Sequence, residues 1–577
     1  MRVLVSLLVL VIAGPVAGAE QAWRLLQAQH YTVLSQLDDR ETLAWARDYD
    51  QFIASITTTL RINPKALPPL TVILFERDKD FERYKVMRPD GRAASISGQF
   101  LRRPSWSMIA MSNDGERENT RNTIRHEATH WLMSVDPGRQ PAWFAEGVAE
   151  MFATFERKIE IVKWGLPIPE HLYTLNQGAL IPFDEFLTQR SALYDSDSRT
   201  GRFYAQSWAF VHMLLLSNDP VRRAKLLEYL HAYRNDTAEN AVKQVFGDDL
   251  SIWQKALSSY IGQRSFGYMQ QPLMATPALP APADASPAYV EAALGQLALG
   301  SGKMDLARSH AQRGMTLDAR QPKVHELMAY IAQEDEDSAA LARHSQEAVQ
   351  LGSKDAQMFL ILGDSYAGGP NSELKDASRS RINAYETAIN LNPRNYPAYE
   401  RLMMALAEVE SPTDEDVKFL NLGRLAFPDD DWLKVGVALL AAQRGQQTEA
   451  RVMLDSTLRE GSSLDGSQRN YAMDRRRAWS MRSLSQSIPE AMRKGDTEAA
   501  RHLIEAEQSR LADDAEAGQM LSTLLSSINY SDELEQARKQ ISSGRKADAR
   551  SALDRLLAKP DLPPELRQYA TRLRTEL

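Results

Sequence analysis

The chain has 577 residues, too many for one hydrophobic core, and its 43% hydrophobic content is ample for several folded modules. Its formal net charge is −8 and no basic cluster occurs, which removes the electrostatic footprint expected of a nucleic-acid binder. With no cysteine anywhere, disulfides and a lipid-modified N-terminal cysteine are excluded, and stability falls to core packing and helix contacts.

The first residues read as an export signal. Met1-Arg2 supplies a positive n-region, Val3 to Ile12 an apolar h-region, and Ala17-Gly18-Ala19 an A-x-A cleavage site, so residues 1–19 are expected to be removed after Ala19. Cleavage takes away only Arg2 among the charges, so the 68 basic residues become 67 against 76 acidic ones. The apolar run falls short of the about twenty residues that span a bilayer, and no later run is long enough, so no stable membrane span is expected after cleavage. A periplasmic or secreted bacterial protein is the expectation.

Tyr31-Thr32-Val33-Leu34 and the run from Leu70 to Phe75 are rich in β-formers, and a helical pattern from Asp39 to Arg61 lies between them. Ser97 to Phe100 and Ser107 to Met111 read as strands of a hairpin around Arg103-Pro104.

The most informative stretch follows: His126-Glu127-Ala128-Thr129-His130. On a helix, positions i and i+4 project from nearly the same face, so both imidazoles can offer a nitrogen to one Zn²⁺. Glu127 then sits beside the metal-bound water, whose pKa zinc lowers towards ~7, and can take its proton during attack on a carbonyl. The flanks suit a helix, with Asn119-Thr120 as a cap, Ile124, Ala128, Trp131, Leu132 and Val135 at helical spacing, and Pro137-Gly138 as a stop.

A catalytic zinc needs a third protein donor and an open position. Asp136 is one candidate, but Met133 stands where a metzincin-type chain has glycine, which argues against it. The other comes from the stretch Pro141 to Phe152, a second helix with proline in its first turn and with Glu146 and Glu150 again at i and i+4. A carboxylate at Glu146 facing the zinc leaves Glu150 able to hydrogen-bond a ligating histidine.

HEATH, a short loop, and WFAEGVAEMF together resemble the gluzincin metallopeptidases, and more closely the secreted peptidase MA-like proteins of bacteria that join such a domain to tetratricopeptide (TPR) repeats. The resemblance implies an α+β zincin-like catalytic domain, a small sheet plus a helical lobe, followed by an all-α TPR solenoid. It implies one zinc ion held by His126, His130 and Glu146, with Glu127 as catalytic base. It further implies that Tyr204, in Tyr204-Ala205-Gln206-Ser207, donates a hydrogen bond to the oxyanion of the tetrahedral intermediate. In gluzincins a sheet edge beside the zinc helix pairs with extended substrate, which gives the 97–111 hairpin a role in strand addition. A tyrosine among Trp208, Phe210, Val211 and Leu214 also reads simply as a core residue with its hydroxyl at the rim.

Helical patterns from Phe203 to Gly262 complete the catalytic domain, expected over residues 20–268. Residues 269–287, with Pro272, Pro277, Pro280, Pro282 and Pro287 among alanines, read as an extended linker. Over 288–577 the chain repeats itself. Gly302, Gly445, Gly495 and Gly544 each precede, five residues on, an Ala-Arg pair, at Ala307, Ala450, Ala500 and Ala549. Phe359-x-x-Leu362-Gly363-x-x-Tyr366, then Tyr385, Ala388 and Pro393, match the TPR signature, which makes this region an α-solenoid, irregular around 412–430 and 460–480. Its concave face is an expected docking surface for a protein partner or a peptide.

Three functions fit these features. The first is an exported zinc metallopeptidase cleaving peptide or protein substrates, with the repeats docking substrate or partner. The second is a catalytically silent zincin scaffold whose solenoid is a protein-interaction module. The third is a zinc amidase acting on cell-wall peptides.

Overall fold

The structure, a computed structural model, describes residues 22–577 except 65–66, 88–92, 94–95, 97, 104, 115–116, 136–139, 190–196, 369–375, 410–411 and 460. The expected signal segment, Asp136 and the expected Pro137-Gly138 stop therefore lie outside the described residues. The chain divides into two compact units, Met1–Ala405 and Leu406–Leu577.

The first unit opens with β1 (Arg24–Gln27), β2 (Thr32–Ser35), α1 (Asp39–Leu60), β3 (Leu70–Phe75), α2 (Asp78–Glu82), β4 (Gly98–Arg102) and β5 (Ser107–Ser112). Asp38 caps α1 through Glu41 N–H, and Arg61 closes it in the left-handed region. The hairpin of β4 and β5 is antiparallel, while β5, β3 and β2 run parallel to one another. Next come α3 (Arg117–Met133), α4 (Ala142–Ala153), β6 (Glu156–Arg157), β7 (Ile161–Trp164), α5 (Pro169–Asn176), α6 (Phe183–Thr188), α7 (Asp197–Leu216), α8 (Pro220–Asn235), α9 (Ala238–Phe246) and α10 (Ser251–Ile261). Helix α3 begins at Arg117, so Asn119-Thr120 lie within it instead of capping it.

The expected linker is extended but not free. It contributes β8 (Met269–Pro272), which pairs with β7, and β9 (Ala283–Asp284), which pairs with β1. Arg24 of β1 holds Asp284 and Asp39, at 2.6 Å for Asp39, which ties this segment to the start of α1. The larger sheet is thus ordered β4-β5-β3-β2-β1-β9.

Alternation along the strands loads both faces of that sheet. Val33, Val72, Leu74, Ile109 and Met111 join one core with Phe52 of α1, Trp131 of α3 and Val148 of α4. Leu34, Ile73, Phe75, Met108 and Ala110 join another core, with Leu294 and Leu297 of α11 (Pro287–Gly300), Ala307 of α12 (Met304–Leu317) and Leu327 of α13 (Pro322–Glu334). A strand covered on both faces calls for mostly apolar residues, which is why five of the six in β3, Leu-Thr-Val-Ile-Leu-Phe, are apolar with no polar alternation. The first repeat helices are consequently the second cover of the sheet. The unit continues with α14 (Ser338–Gln350), α15 (Ala356–Tyr366) and α16 (Ala377–Leu391), and α17 (Tyr396–Ala407) runs across the division between the units.

The second unit is helical throughout, with α18 (Asp414–Ala426), α19 (Asp431–Gln443), α20 (Gln447–Thr457), α21 (Gly466–Arg493), α22 (Thr497–Arg510), α23 (Ala515–Ser542), α24 (Lys546–Leu557) and α25 (Pro564–Thr575). Residues 412–430 and 460–480, expected to be irregular, hold α18 and the first half of α21; the departure from a uniform repeat is the 28-residue length of α21 and α23. At the inter-helix turns Gly302, Gly445, Gly495 and Gly544 all have positive φ, between 72° and 82°. Ala307, Ala450, Ala500 and Ala549 are fully buried one turn into the next helix. Glycine supplies the left-handed turn and alanine the close helix approach, which is the mechanical content of a TPR-like repeat. Among the described residues no helix is long and apolar enough to cross a membrane.

Candidate metal centre

Helix α3 buries Ile124, Ala128, Trp131 and Leu132, and its opposite side carries His126 and His130. The helix is pinned at two points: Arg125 pairs with Asp48 of α1 at 2.8 Å, and Trp131 Nε1 donates to the Pro68 carbonyl at 3.0 Å. Helix α4 buries Trp143, Val148, Met151 and Phe152 while Glu146 and Glu150 meet α3. Gly147 sets the third helix of the site. A Cβ there would come within 2.5 Å of Val211 Cγ2 and 2.8 Å of the Ser207 carbonyl carbon, so only glycine lets α4 lie directly on α7.

Three donor atoms form a near-equilateral triangle. His126 Nε2 and His130 Nε2 are 3.1 Å apart, and Glu146 Oε2 is 3.2 Å from each. Neighbouring ligands about 2.0–2.1 Å from a tetrahedral zinc lie about 3.3 Å from one another, so the spacing fits one face of such a coordination sphere. The chemistry fits as well, since two imidazole nitrogens and one carboxylate oxygen are a zinc donor set. The three side chains are 14%, 23% and 16% exposed, which leaves the centre open on one side for a water or substrate.

Electrostatics favour a cation here. Glu127, Glu146 and Glu150 surround two imidazoles. Burial works against charge on Glu146, yet hydrogen bonds to His126 and His130 outweigh it and hold the carboxyl down at about 2. Burial likewise opposes the charge on Glu150, but His126 and His171 hold it below the ordinary carboxylate range. For His126 burial lowers the pKa, and hydrogen bonds to Glu146 and Glu150 overcome this and raise it well above the usual imidazole value. Glu127 is shifted the other way, upwards, because its burial outweighs the two imidazoles. A raised carboxyl is what proton uptake at neutral pH requires.

Glu150 reaches past the triangle. Its Oε1 lies 3.3 Å from His126 Nδ1, and its Oε2 accepts from His171 Nε2 at 3.0 Å. His171, on α5, belongs to no spacing motif, and its place is set by packing of α5 on α7. Tyr204 on α7 has its ring 5.9 Å from that of His126. Burial, then Glu146, Glu127 and Glu150, raise its pKa, so the hydroxyl keeps its proton. Ser207 and Trp208 of the same helix are fully buried core residues. Asp136, the alternative third donor, lies outside the described residues.

No family model matches the sequence, and no curated protein matches it. Solved structures do match. YrrB, a TPR protein with an unusual peptide-binding site, is 15% identical over 32% of this chain and 90% of its own, with TM-score 0.27. A thermophilic TPR protein of Thermus thermophilus is 15% identical over 32% of this chain and 97% of its own, with TM-score 0.21. Naa15/Naa10 bound to HypK gives 13% identity over 50% of this chain and 38% of that one, with TM-score 0.30. The TPR-like arrangement of this chain rests on its own helices, turns and buried alanines.

Proposed function

We propose that this chain is an exported zinc-dependent metallopeptidase, in which a zincin-like domain cleaves peptide bonds and the helical repeats dock the substrate or a protein partner. The triangle of His126, His130 and Glu146 donors carries this reading. Those three residues would hold the ion, which supplies Lewis acidity and lowers the pKa of a water in its open position. Glu127, whose burial raises its proton affinity, takes the proton of the attacking water and passes it to the leaving amine. Tyr204 stays protonated and donates to the oxygen on which charge develops, a contribution of several kcal/mol when such a donor is preorganised. Strand β4 is an edge of the larger sheet and lies against α3, where Gly98 approaches Thr123, so an extended substrate can add to it beside the site.

A second reading rests on the repeats themselves, whose glycine turns and buried alanines build a TPR-like helical array. In it the zincin-like part is a catalytically silent scaffold, and the repeats are a protein-interaction module. One experiment separates the two: the mature chain, purified without chelators, is assayed for bound metal and for cleavage of a peptide library beside Glu127→Gln. Cleavage by the parent alone supports the peptidase; metal without cleavage by either supports the scaffold.

A further inference from the structure

The contact that His126 makes away from the triangle has a support of its own. Glu150 uses one carboxylate oxygen on His126 Nδ1 and the other on His171 Nε2. A carboxylate held at only one oxygen can rotate about its last torsion and lose the alignment of the ring it orients; held at both, it cannot. With Glu150 fixed, His126 keeps its Nδ1 proton and turns Nε2 towards the triangle, where a bound cation would take the place of a second proton. His171 is itself fixed, since it sits in the first turn of α5 and its ring lies 6.0 Å from the buried indole of Trp208 on α7. This relay reaches His126 through its Nδ1.

We propose that His171 is a positioning residue for the metal centre, acting through Glu150 on the tautomer and ring orientation of His126. The proposal rests on the reading of His126, His130 and Glu146 as metal ligands. His171 touches neither metal nor substrate, and its contribution is transmitted entirely by the carboxylate between it and His126.

The test measures zinc affinity of the full mature chain by chelator competition, together with the absorption spectrum of the cobalt-substituted protein. His171→Phe keeps a ring against Trp208 but removes the N–H donor; His171→Leu is the second loss variant, and His171→Gln restores a donor at a similar reach. Loss of zinc affinity by about 10–100-fold in the phenylalanine and leucine variants, with a changed cobalt spectrum and recovery in the glutamine variant, is the expected result. In a Glu150→Ala background the His171 substitutions should add less than about twofold, because the relay is already broken. Parent-like zinc affinity in His171→Phe and His171→Leu, or losses that add in full to that of Glu150→Ala, overturns the proposal. A parent chain that binds no zinc refutes the ligand reading itself, and the parent control tells that failure from the failure of the relay.

Discussion

Val72 and Ile73 are adjacent in β3 yet enter different cores, Val72 with α1, α3 and α4 and Ile73 with α11, α12 and α13. The sheet beside the candidate metal centre is therefore covered on its far side by the first repeats. Each large side chain on that side gains about 1.5–3 kcal/mol from burial, so exposing Leu34, Ile73, Phe75 and Met108 forfeits on the order of 10 kcal/mol, comparable to a whole domain's stability. A chain ending at Pro287 should aggregate or fail to fold, as read by solubility and circular dichroism. A soluble, cooperatively melting fragment would show the two faces to be independent.

Gly147 makes a sharper prediction about the site. Alanine there meets Val211 and the Ser207 carbonyl, backbone that cannot swing away, so α4 must lift from α7. Gly147→Ala is expected to cost about 2–4 kcal/mol and to weaken metal binding, because Glu146 and Glu150 move with α4. Differential scanning calorimetry and metal titration of the variant check both.

The repeat turns should respond in a graded way. Gly445, Gly495 and Gly544 have open space around them, so alanine at these positions meets only left-handed strain, about 1 kcal/mol each. Ala450, Ala500 and Ala549 are fully buried, and leucine there overpacks the helix pair at about 1–3 kcal/mol or more. Urea midpoints of the six single variants should fall in that order.

His344 gives a pH dependence unconnected with the candidate metal centre. His325 Nε2 donates to the Ala319 carbonyl at 2.8 Å, so its Nδ1 accepts from His344 Nδ1 at 3.1 Å, and His344 Nε2 accepts from Arg343 at 3.3 Å. Burial, then Arg343 and His325, push the His344 pKa down to about 4. The folded state thus refuses a proton that the unfolded chain accepts below about 6.5, so this stabilisation is complete above that pH and is lost as pH falls towards 4. The slope reaches at most about 1.4 kcal/mol per pH unit. Asp355, pushed up to about 6 by burial and Glu326, acts in the opposite sense but is common to parent and variant. The stability of the parent relative to His344→Gln should therefore decline from pH 6.5 to 4.5 in thermal melts; a constant difference would contradict the assignment.

Much of this was legible in the residues because local chemistry repeats at fixed spacing. His126 and His130, and again Glu146 and Glu150, are one helical turn apart, and the glycine-alanine interval of the repeats marks a turn and the helix contact after it. What could not be read was tertiary. The largely apolar run of β3 carries the signal of a sheet covered on both faces, but nothing local says that the second cover comes from helices beyond a proline-rich segment. That segment read as a linker because prolines suit extended chain; its short edge strands follow only once β1 and β7 lie beside it. Asn119-Thr120 suit a cap, yet both lie inside α3. His171 stayed hidden because its partner Glu150 is chosen by packing of α5 against α7 and not by spacing along the chain.

The ligand triangle is tested most directly by the metal itself. Zinc content and X-ray absorption of the purified mature chain, alongside Glu146→Ala and His130→Ala, should give about one zinc per parent chain with two imidazole nitrogens and at least one oxygen around it, and little or no zinc in either variant. A parent without zinc, or full zinc occupancy retained in Glu146→Ala, would contradict a centre built from His126, His130 and Glu146.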